Sequence, residues 1–445
     1  MASPASASTP TTAAATTEPH VVIAGAGPAG LLSAILLSQA GISVTILEKS
    51  PVADPWSTGK SYSINLNDRG LTALDCAAGV LENIKSAGLA RHQIVLESFD
   101  GKRQHIPKNP PHYAVTRPGL VKCLENIAKE KHADRVTIQR GVEVTHIAAL
   151  TATNGDDNNA STTATEMVVT LNNGSKVSCT HVIGADGKWS AVRNAIPDLK
   201  DQFKVQSEAA FGICITPIVS PERWEKDATS VFRPYNSKYY ILAAPLPNGS
   251  FSVSAVCFEE IKEDHPWLLP PGENHQEEES WDAEYGARIA TSISDEVFQE
   301  RMAKMLQADL PFFYKDIQGR ESLSTVRVNR RTSWLKLVSD DKNPNYSDRT
   351  GRVALIGDAC HAMTPAIGEG CNCALESAVC LVQSLLQVSD QTQQATDKET
   401  DNKITVDELT KAFLHYGTTR PPQVVPIQLK SAAINRYKVP AQTAK

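Results

Sequence analysis

Nowhere do the 445 residues run eighteen apolar positions without a break, so no membrane-spanning segment is expected. Positive charge is also short. Lys and Arg number 44 against 50 Asp and Glu, a net charge of −6 that disfavours a nucleic-acid partner or an anionic membrane surface. The nine cysteines are odd in number, scattered, and form no CxxC pair. They read as free thiols of a reducing compartment, so a cytoplasmic location is expected. Cys371-x-Cys373 with nearby His361 fits no standard zinc spacing, and no metal is expected. The first nineteen residues carry a single charge, Glu18, with no apolar core and no Lys or Arg. They resemble neither a secretory signal nor a basic transit peptide, and a disordered tail over 1–19 is expected. Organelle targeting by this Ala/Ser/Thr-rich stretch is the alternative. No nucleophile–base–acid triad is visible.

What is present begins with HVVIAGAGPAGLLSAILLSQAGISVTILEKS, residues 20–50. The spacing predicts a buried strand over His20–Ala24, a glycine turn, a helix over Pro28–Ala40 stopped by Gly41, and a second strand over Ile42–Leu47. In Gly25-x-Gly27-x-x-Gly30 the first glycine permits a tight turn. The second lets backbone approach a pyrophosphate, and the third lets helix and strand pack closely. Phosphate suits the helix N-terminus, where free N–H groups and the dipole favour negative charge. Glu48 stands eighteen residues past Gly30, near the spacing of a carboxylate that accepts ribose hydroxyls, with Lys49 beside it. Together these features indicate a dinucleotide without saying which.

Further along, Tyr62–Leu66, Gln93–Phe99 and Lys102–Ile106 read as strands, and Arg117 opens a helix with Leu120, Leu124 and Ile127 on one face. Val142–Leu150, which includes Val144, and Met167–Cys179 continue as strands and a hairpin. His181–Ala185 then runs into Asp186-Gly187 and Ser190-Ala191-Val192-Arg193. From Ala209 to Cys257 strand follows strand, as an inserted antiparallel sheet would. An acidic, proline-broken stretch over 259–285 and a helix over Ser294–Gln307 follow, and Leu323–Leu335 returns toward a strand. Val353–Ile356 is a buried strand ending at Gly357-Asp358. Gly368, Gly370, Cys371 and Asn372 make a small-residue turn into a long apolar helix. Thr405-x-x-Glu408 reads as a capping box.

GAGPAG at 25–30, GADGKWSAVR at 184–193 and LIGDACHAMTP at 355–365, in this order, resemble the group A flavin monooxygenases over about residues 21–437. The resemblance implies an α/β fold. A Rossmann-like, hydroxybenzoate-hydroxylase-type FAD-binding domain would carry an inserted antiparallel β-sheet substrate domain and C-terminal helices. The expected division is a discontinuous FAD-binding domain at 20–200 and 323–384, with 62–116 contributing to the substrate side. A substrate domain at 201–322, a polar linker at 385–404 and a helical segment at 405–445 complete it.

It also implies FAD, with NADPH or NADH as a visiting reductant. A second GxGxxG is absent, which agrees. Oxygen would add at the flavin C4a atom, and the hydroperoxide would pass one oxygen atom to a small aromatic or amino-acid-like substrate. The partners are thus that small molecule and O2. By the resemblance Gly25, Gly27, Ala29, Gly30, Glu48, Lys49, Arg117, Val144, Asp186, Ala191, Asp358, Gly368, Gly370, Cys371 and Asn372 hold the cofactor. Asp358 would take the ribityl hydroxyls, and the N–H groups at 368–372 the flavin pyrimidine edge.

The stretches at 63–74, 98–107 and 244–260 are most similar to the kynurenine 3-monooxygenase branch. That branch's substrate-clamping arginine and tyrosine fall on Ile94 and Lys108 here, so the cofactor apparatus carries over and the clamp does not. Arg91, His92 and Lys108 are alternative sources of charge near the pocket. A flavin halogenase is disfavoured, because Trp334 lacks the second tryptophan of that signature. A flavin epoxidase, a prenyl reductase and a non-catalytic FAD-binding protein are the other readings.

Overall fold

His20–Ala24 carries only apolar side chains after His20, so it tolerates burial on both faces, as the middle of a parallel sheet requires. Ser43–Glu48 and Val136–Arg140 lie to one side of it, His181–Gly184 and Val353–Leu355 to the other, and every pairing is parallel. The first strand in sequence is therefore central, and the chain order reverses between it and His181–Gly184. In doubly wound sheets that reversal opens a crevice at the strands' carboxyl ends. The computed structural model describes residues 18–52, 63–154, 161–219, 221–235, 238–246, 249–258, 261–265, 296–318, 333–338, 344–364, 367–396 and 403–434. Most of the expected N-terminal tail, much of the acidic 259–285 stretch and the end of the chain past 434 lie outside these residues.

A second sheet has eight strands, in the order Ser333–Val338, Lys204–Val219, Ser250–Phe258, Tyr239–Pro245, Ala228–Arg233, Leu89–Ser98, Arg103–Thr116 and Ser63–Leu66. Its pairings are antiparallel except where Ala228–Arg233 meets Leu89–Ser98. One face is closed by the helices Glu296–Asp309 and Pro311–Ile317, with Trp224, Phe232, Phe251 and Phe313 packed together. Trp224 stacks on Phe313 at 5.8 Å and meets Phe251 edge-on at 5.0 Å. Such pairs add about 0.5–1.5 kcal/mol each beyond area burial. The opposite face, including Ile94, Thr229, Val231, Leu242 and Ala244, is only half buried. A third sheet of three antiparallel strands, Val144–Asn154, Ser161–Leu171 and Lys176–Cys179, completes the described strands.

Two expectations change. Of the strand expected over 323–335, residues 323–332 lie outside the described residues; the rest belongs to Ser333–Val338, which pairs with Lys204–Val219 in the eight-stranded sheet rather than joining the parallel one. The boundary placed at 322/323 therefore does not separate the two sheets. The polar linker expected from 385 is still helix: Gly370–Thr396 is one element. Ser384 and Thr392 satisfy their hydroxyls on the carbonyls of Cys380 and Val388 one turn back, so polarity does not end the helix. By length and composition Gly370–Gln394 could cross a membrane, yet more than half of that window is buried in the fold. It packs against Pro28–Gln39 and Val406–Thr419, which identifies it as a core helix. The capping box forms as expected, with the Thr405 side chain and Glu408 bonding reciprocally.

The long helix also holds the last strand end in place. Ser377 Oγ donates to the Cys373 carbonyl and accepts from Arg420 Nε at 3.0 Å. His361 Nε2, 2.9 Å away, must then be the donor to that oxygen. Burial, then the Arg420 charge, lowers the His361 pKa to about 3. Burial and Arg352 do the same to His181, also to about 3. Both imidazoles stay neutral in the folded chain, whereas an unfolded one titrates near about 6.5. The stability they contribute is present above that value and is lost as pH falls through the window toward the folded pKa. In equilibrium urea unfolding between pH 6.5 and 5, stability should fall with pH. His361→Gln should remove about one proton's worth of that slope, about 1.4 kcal/mol per pH unit. An unchanged slope would show that His361 is not held neutral.

Candidate active site

The three glycine-bearing turns leave the carboxyl ends of adjacent parallel strands, after Ala24, Gly184 and Leu355. Gly25 has φ +102°, and a Cβ on it would lie 2.5 Å from the Ala185 carbonyl oxygen. On Gly30 a Cβ would lie 2.1 Å from the Gly25 oxygen. Gly25 lets the first turn lie on the second, and Gly30 lets the helix start close on the first turn. Gly27, the N-cap of Pro28–Gln39, is different: a Cβ there would meet nothing within 4 Å. Open space faces the helix N-terminus at the position where an anion would sit. Ala29 is buried, and its Cβ would lie 3.5 Å from one built on Gly357, so the third turn packs on the same helix.

Glu48 stands at the end of the neighbouring strand. Its Oε2 accepts the Ala26 N–H at 2.7 Å and its Oε1 the Ser50 N–H at 2.8 Å. The carboxylate thus shapes the glycine turn and keeps a lone pair on each oxygen for ribose hydroxyls. Lys49 is exposed beside it. Val144 is 6% exposed in the main core, so its side chain is spent on packing and only its backbone is available to a ligand.

The second turn is held by Asp186. Its Oδ2 accepts the Val192 N–H at 3.1 Å, while Oδ1 is buried without a partner among the described residues. Burial raises this carboxyl's pKa against hydrogen bonds from Ser190 and the Val192 and Ala191 backbone. Ala191 opens the short helix Ala191–Ala195. Arg193, 2% exposed, donates to the Ala359 carbonyl at 2.8 Å and the Lys188 carbonyl at 2.9 Å, bracing the second turn against the third.

Asp358 begins the helical turn Asp358–His361. Its side chain is exposed, yet surrounding protein raises its pKa by desolvation against the charges of Lys188 and Arg117. An accessible carboxylate with that much protein around it lies in a recess. Arg117, half-buried at the start of Arg117–Lys131, also acts electrostatically on Cys371. Burial pushes the Cys371 thiol up to about 12, so it is no nucleophile at neutral pH. Gly368 has φ +68° with open space where a Cβ would be, and Gly370 starts the long helix. The N–H groups of Gly370, Cys371 and Asn372 have no carbonyl one turn back within the helix.

The Asn372 side chain is engaged within the protein, which leaves its backbone N–H for the expected cofactor contact. It is fully buried, donates to the Asn65 and Gly368 carbonyls at 3.0 Å, and accepts the Asn67 N–H at 3.2 Å. It clamps the strand Ser63–Leu66 to the helix start, and only its N–H remains for a cofactor. The same clamp explains Gly70, where a Cβ would lie 2.1 Å from Asn372 Oδ1. Lys188 was not singled out from the sequence, although it stands inside the GADGKW motif. Ile94 and Lys108 lie on the eight-stranded sheet. Ile94 pairs with Ile106, whereas Lys108 lies in the irregular stretch between Pro107 and His112 where the register shifts.

A phosphate-ready helix start, an orphaned buried carboxylate oxygen and a recessed aspartate between two cations fit FAD. With a parallel sheet joined to a large second sheet, they define the class of flavin-dependent hydroxylases. The FAD binding domain family matches residues 18–400, and the chain belongs to it. It is 23% identical over 393 residues to a kynurenine 3-monooxygenase of Dictyostelium discoideum, covering 86% of this chain and 73% of that protein. It is 25% identical to 3-hydroxybenzoate 6-hydroxylase 1 of Aquipseudomonas alcaligenes, covering 82% and 80%. The solved structure of the tetrameric 2-methyl-3-hydroxypyridine-5-carboxylic acid oxygenase superposes with a TM-score of 0.64 at 20% identity, covering 94% of this chain and 91% of that one. FAD is the cofactor.

Gly30→Ala would drive a Cβ into the Gly25 carbonyl and should distort the first turn. The purified variant is expected to carry less than a tenth of the wild-type flavin per chain, read from absorbance near the flavin band; full flavin content would contradict the packing argument.

Proposed function

We propose that the chain is an NAD(P)H-consuming monooxygenase that inserts one atom of O2 into a small aromatic or amino-acid-like substrate. The observation that carries this is the gathering of three glycine-bearing turns at the carboxyl ends of adjacent parallel strands, the third leading into Asp358 and packing on Ala29 and on Ala374 of the Gly370–Thr396 helix. The bound flavin supplies the redox and oxygen chemistry. The protein's part is to bind, orient and exclude water. Gly25, Gly27, Ala29 and Gly30 hold the pyrophosphate, with Glu48 and Lys49 at the adenosine ribose and the Val144 backbone nearby. Asp186 and Ala191 brace the cofactor from the second turn. Asp358 accepts ribityl hydroxyls, and Arg117 contacts the cofactor. The N–H groups from Gly368 to Asn372 favour negative charge on the ring through the helix dipole. A single dinucleotide fold supports a nicotinamide that visits and leaves.

The half-buried face of the eight-stranded sheet supplies a wall for the substrate, because its other face is already filled by the helices at 296–317. The relatives named for kynurenine, 3-hydroxybenzoate and a hydroxypyridine carboxylic acid support a ring substrate. Ile94 and Lys108 argue against kynurenine itself, since neither can repeat an arginine–tyrosine clamp. Free thiols at eight described cysteines agree with the cytoplasmic location we propose.

Asp358→Ala should weaken FAD binding at least tenfold, measured by fluorescence titration of the apoprotein; unchanged affinity would remove Asp358 from the ribityl role. For the activity, ring compounds are screened by NAD(P)H oxidation together with hydroxylated product. Peroxide release without product from every compound would count against a monooxygenase.

A further inference from the structure

The Gly370–Thr396 helix starts on a carboxylate. Glu369 stands between Gly368 and Gly370, and its carbonyl accepts the Cys373 N–H at 2.8 Å, the first bond of the helix. That position is usually filled by Ser, Thr, Asp or Asn, whose short side chains turn back onto the helix. The Glu369 side chain turns to another element instead. Its Oε1 accepts Asn67 Nδ2 at 2.7 Å, and its Oε2 lies 3.4 Å from Arg69 Nε.

Fastening alone does not call for this charge. Asn372 already clamps the strand Ser63–Leu66 to the helix start, and it accepts the Asn67 N–H as well. Gly70, the neighbour of Arg69, lies so close that a Cβ on it would stand 2.1 Å from Asn372 Oδ1. A neutral glutamine at 369 would accept from Asn67 just as the glutamate does. A partly exposed ion pair, here with the two side chains 32% and 20% exposed, adds little stability.

The electrostatic consequence is larger. The N–H groups of Gly370, Cys371 and Asn372, with the helix dipole, favour negative charge at this end. An uncompensated Glu369 would repel a second negative charge placed there. Arg69 offsets it. Its Nη1 also bonds Glu376 at 2.5 Å, and Glu376 accepts from Arg420 Nη2 at 2.6 Å. Arg69 and Arg420 thus face Glu369 and Glu376, two charges of each sign. Burial opposes the Arg69 charge, but Glu376 and Glu369, with Cys373, raise its pKa, so it stays a cation. Cys373 adds no charge at neutral pH, because burial pushes its thiol up to about 12. Asp358 and Arg117, which act on Cys371, carry one charge of each sign.

We propose that Arg69 and Glu369 set the reduction potential of the bound flavin. Reduction adds two electrons and one proton to FAD, which leaves one negative charge on the ring. Arg69 is a positioning residue that acts through Glu369. It holds and neutralises that carboxylate, so the field of the helix start is left to the ring. This rests on the reading above that the ring lies at the start of Gly370–Thr396.

The test poises FAD-loaded protein against redox dyes of known potential, without O2, nicotinamide or substrate. It therefore reads the flavin whether or not a hydroxylated product is ever found. Glu369→Gln keeps the acceptor for Asn67 and removes the negative charge. Its potential should rise by at least a tenfold gain in the two-electron equilibrium, about 30 mV. Arg69→Met should lower the potential by as much, and Arg69→Lys should stay near wild type. The double variant, Glu369→Gln with Arg69→Met, should return toward wild type. A loosened turn would instead shift both single variants the same way. Unchanged potentials in both single variants with full flavin content would overturn the proposal, as would a shift of both in one direction. If Arg69→Met takes up no FAD, Glu369→Gln decides alone, and an unchanged or lowered potential overturns the proposal.

Discussion

The fold depends on one close approach. The first glycine turn lies directly on the second, with no room for a Cβ between Gly25 and the Ala185 carbonyl, and it closes on the start of its own helix, with no room for a Cβ between Gly30 and the Gly25 carbonyl. Because the strands that deliver these turns are neighbours and parallel, their loops must share the same end of the sheet. The third turn is drawn in by Gly357, which meets Ala29 and Ala374, and by Arg193 on the Ala359 carbonyl. Packing of backbone on backbone thus leaves a helix N-terminus facing open space and gathers three motifs, far apart in sequence, around one recess.

Electrostatics then set what the recess favours. Asp358 sits among protein that penalises its charge, and Lys188 and Arg117 offset that penalty. The neutral His361 and buried Arg420 fix the turn behind it through a shared Ser377 hydroxyl. None of these groups needs to act as acid or base, in keeping with chemistry carried on a flavin. The division of labour resembles that of other cofactor proteins, where the chain supplies rigidity, dipoles and exclusion of water.

Much of this was legible in the sequence because the signals are local. The strand–glycine turn–helix at 20–40 and the Thr405–Glu408 capping box each place their cause and effect within a few residues. What was not legible depends on distant partners. Nothing near Ser333–Val338 says that it pairs with Lys204–Val219. The serines and threonines past 384 look like a linker until their back-bonding and burial are seen. Asn372 matched a cofactor motif, yet its side chain belongs to a strand three hundred residues earlier, at Asn65. Arg91 reads as a surface charge until the bulge turns it onto Thr229.

The most direct measurement is a crystal structure of the chain with FAD bound. The account predicts pyrophosphate over the N–H groups following Gly25, ribityl hydroxyls on Asp358, and the flavin ring facing the N-terminus of Gly370–Thr396. FAD lying elsewhere, or a ring turned away from that helix and from the open face of the eight-stranded sheet, would contradict it.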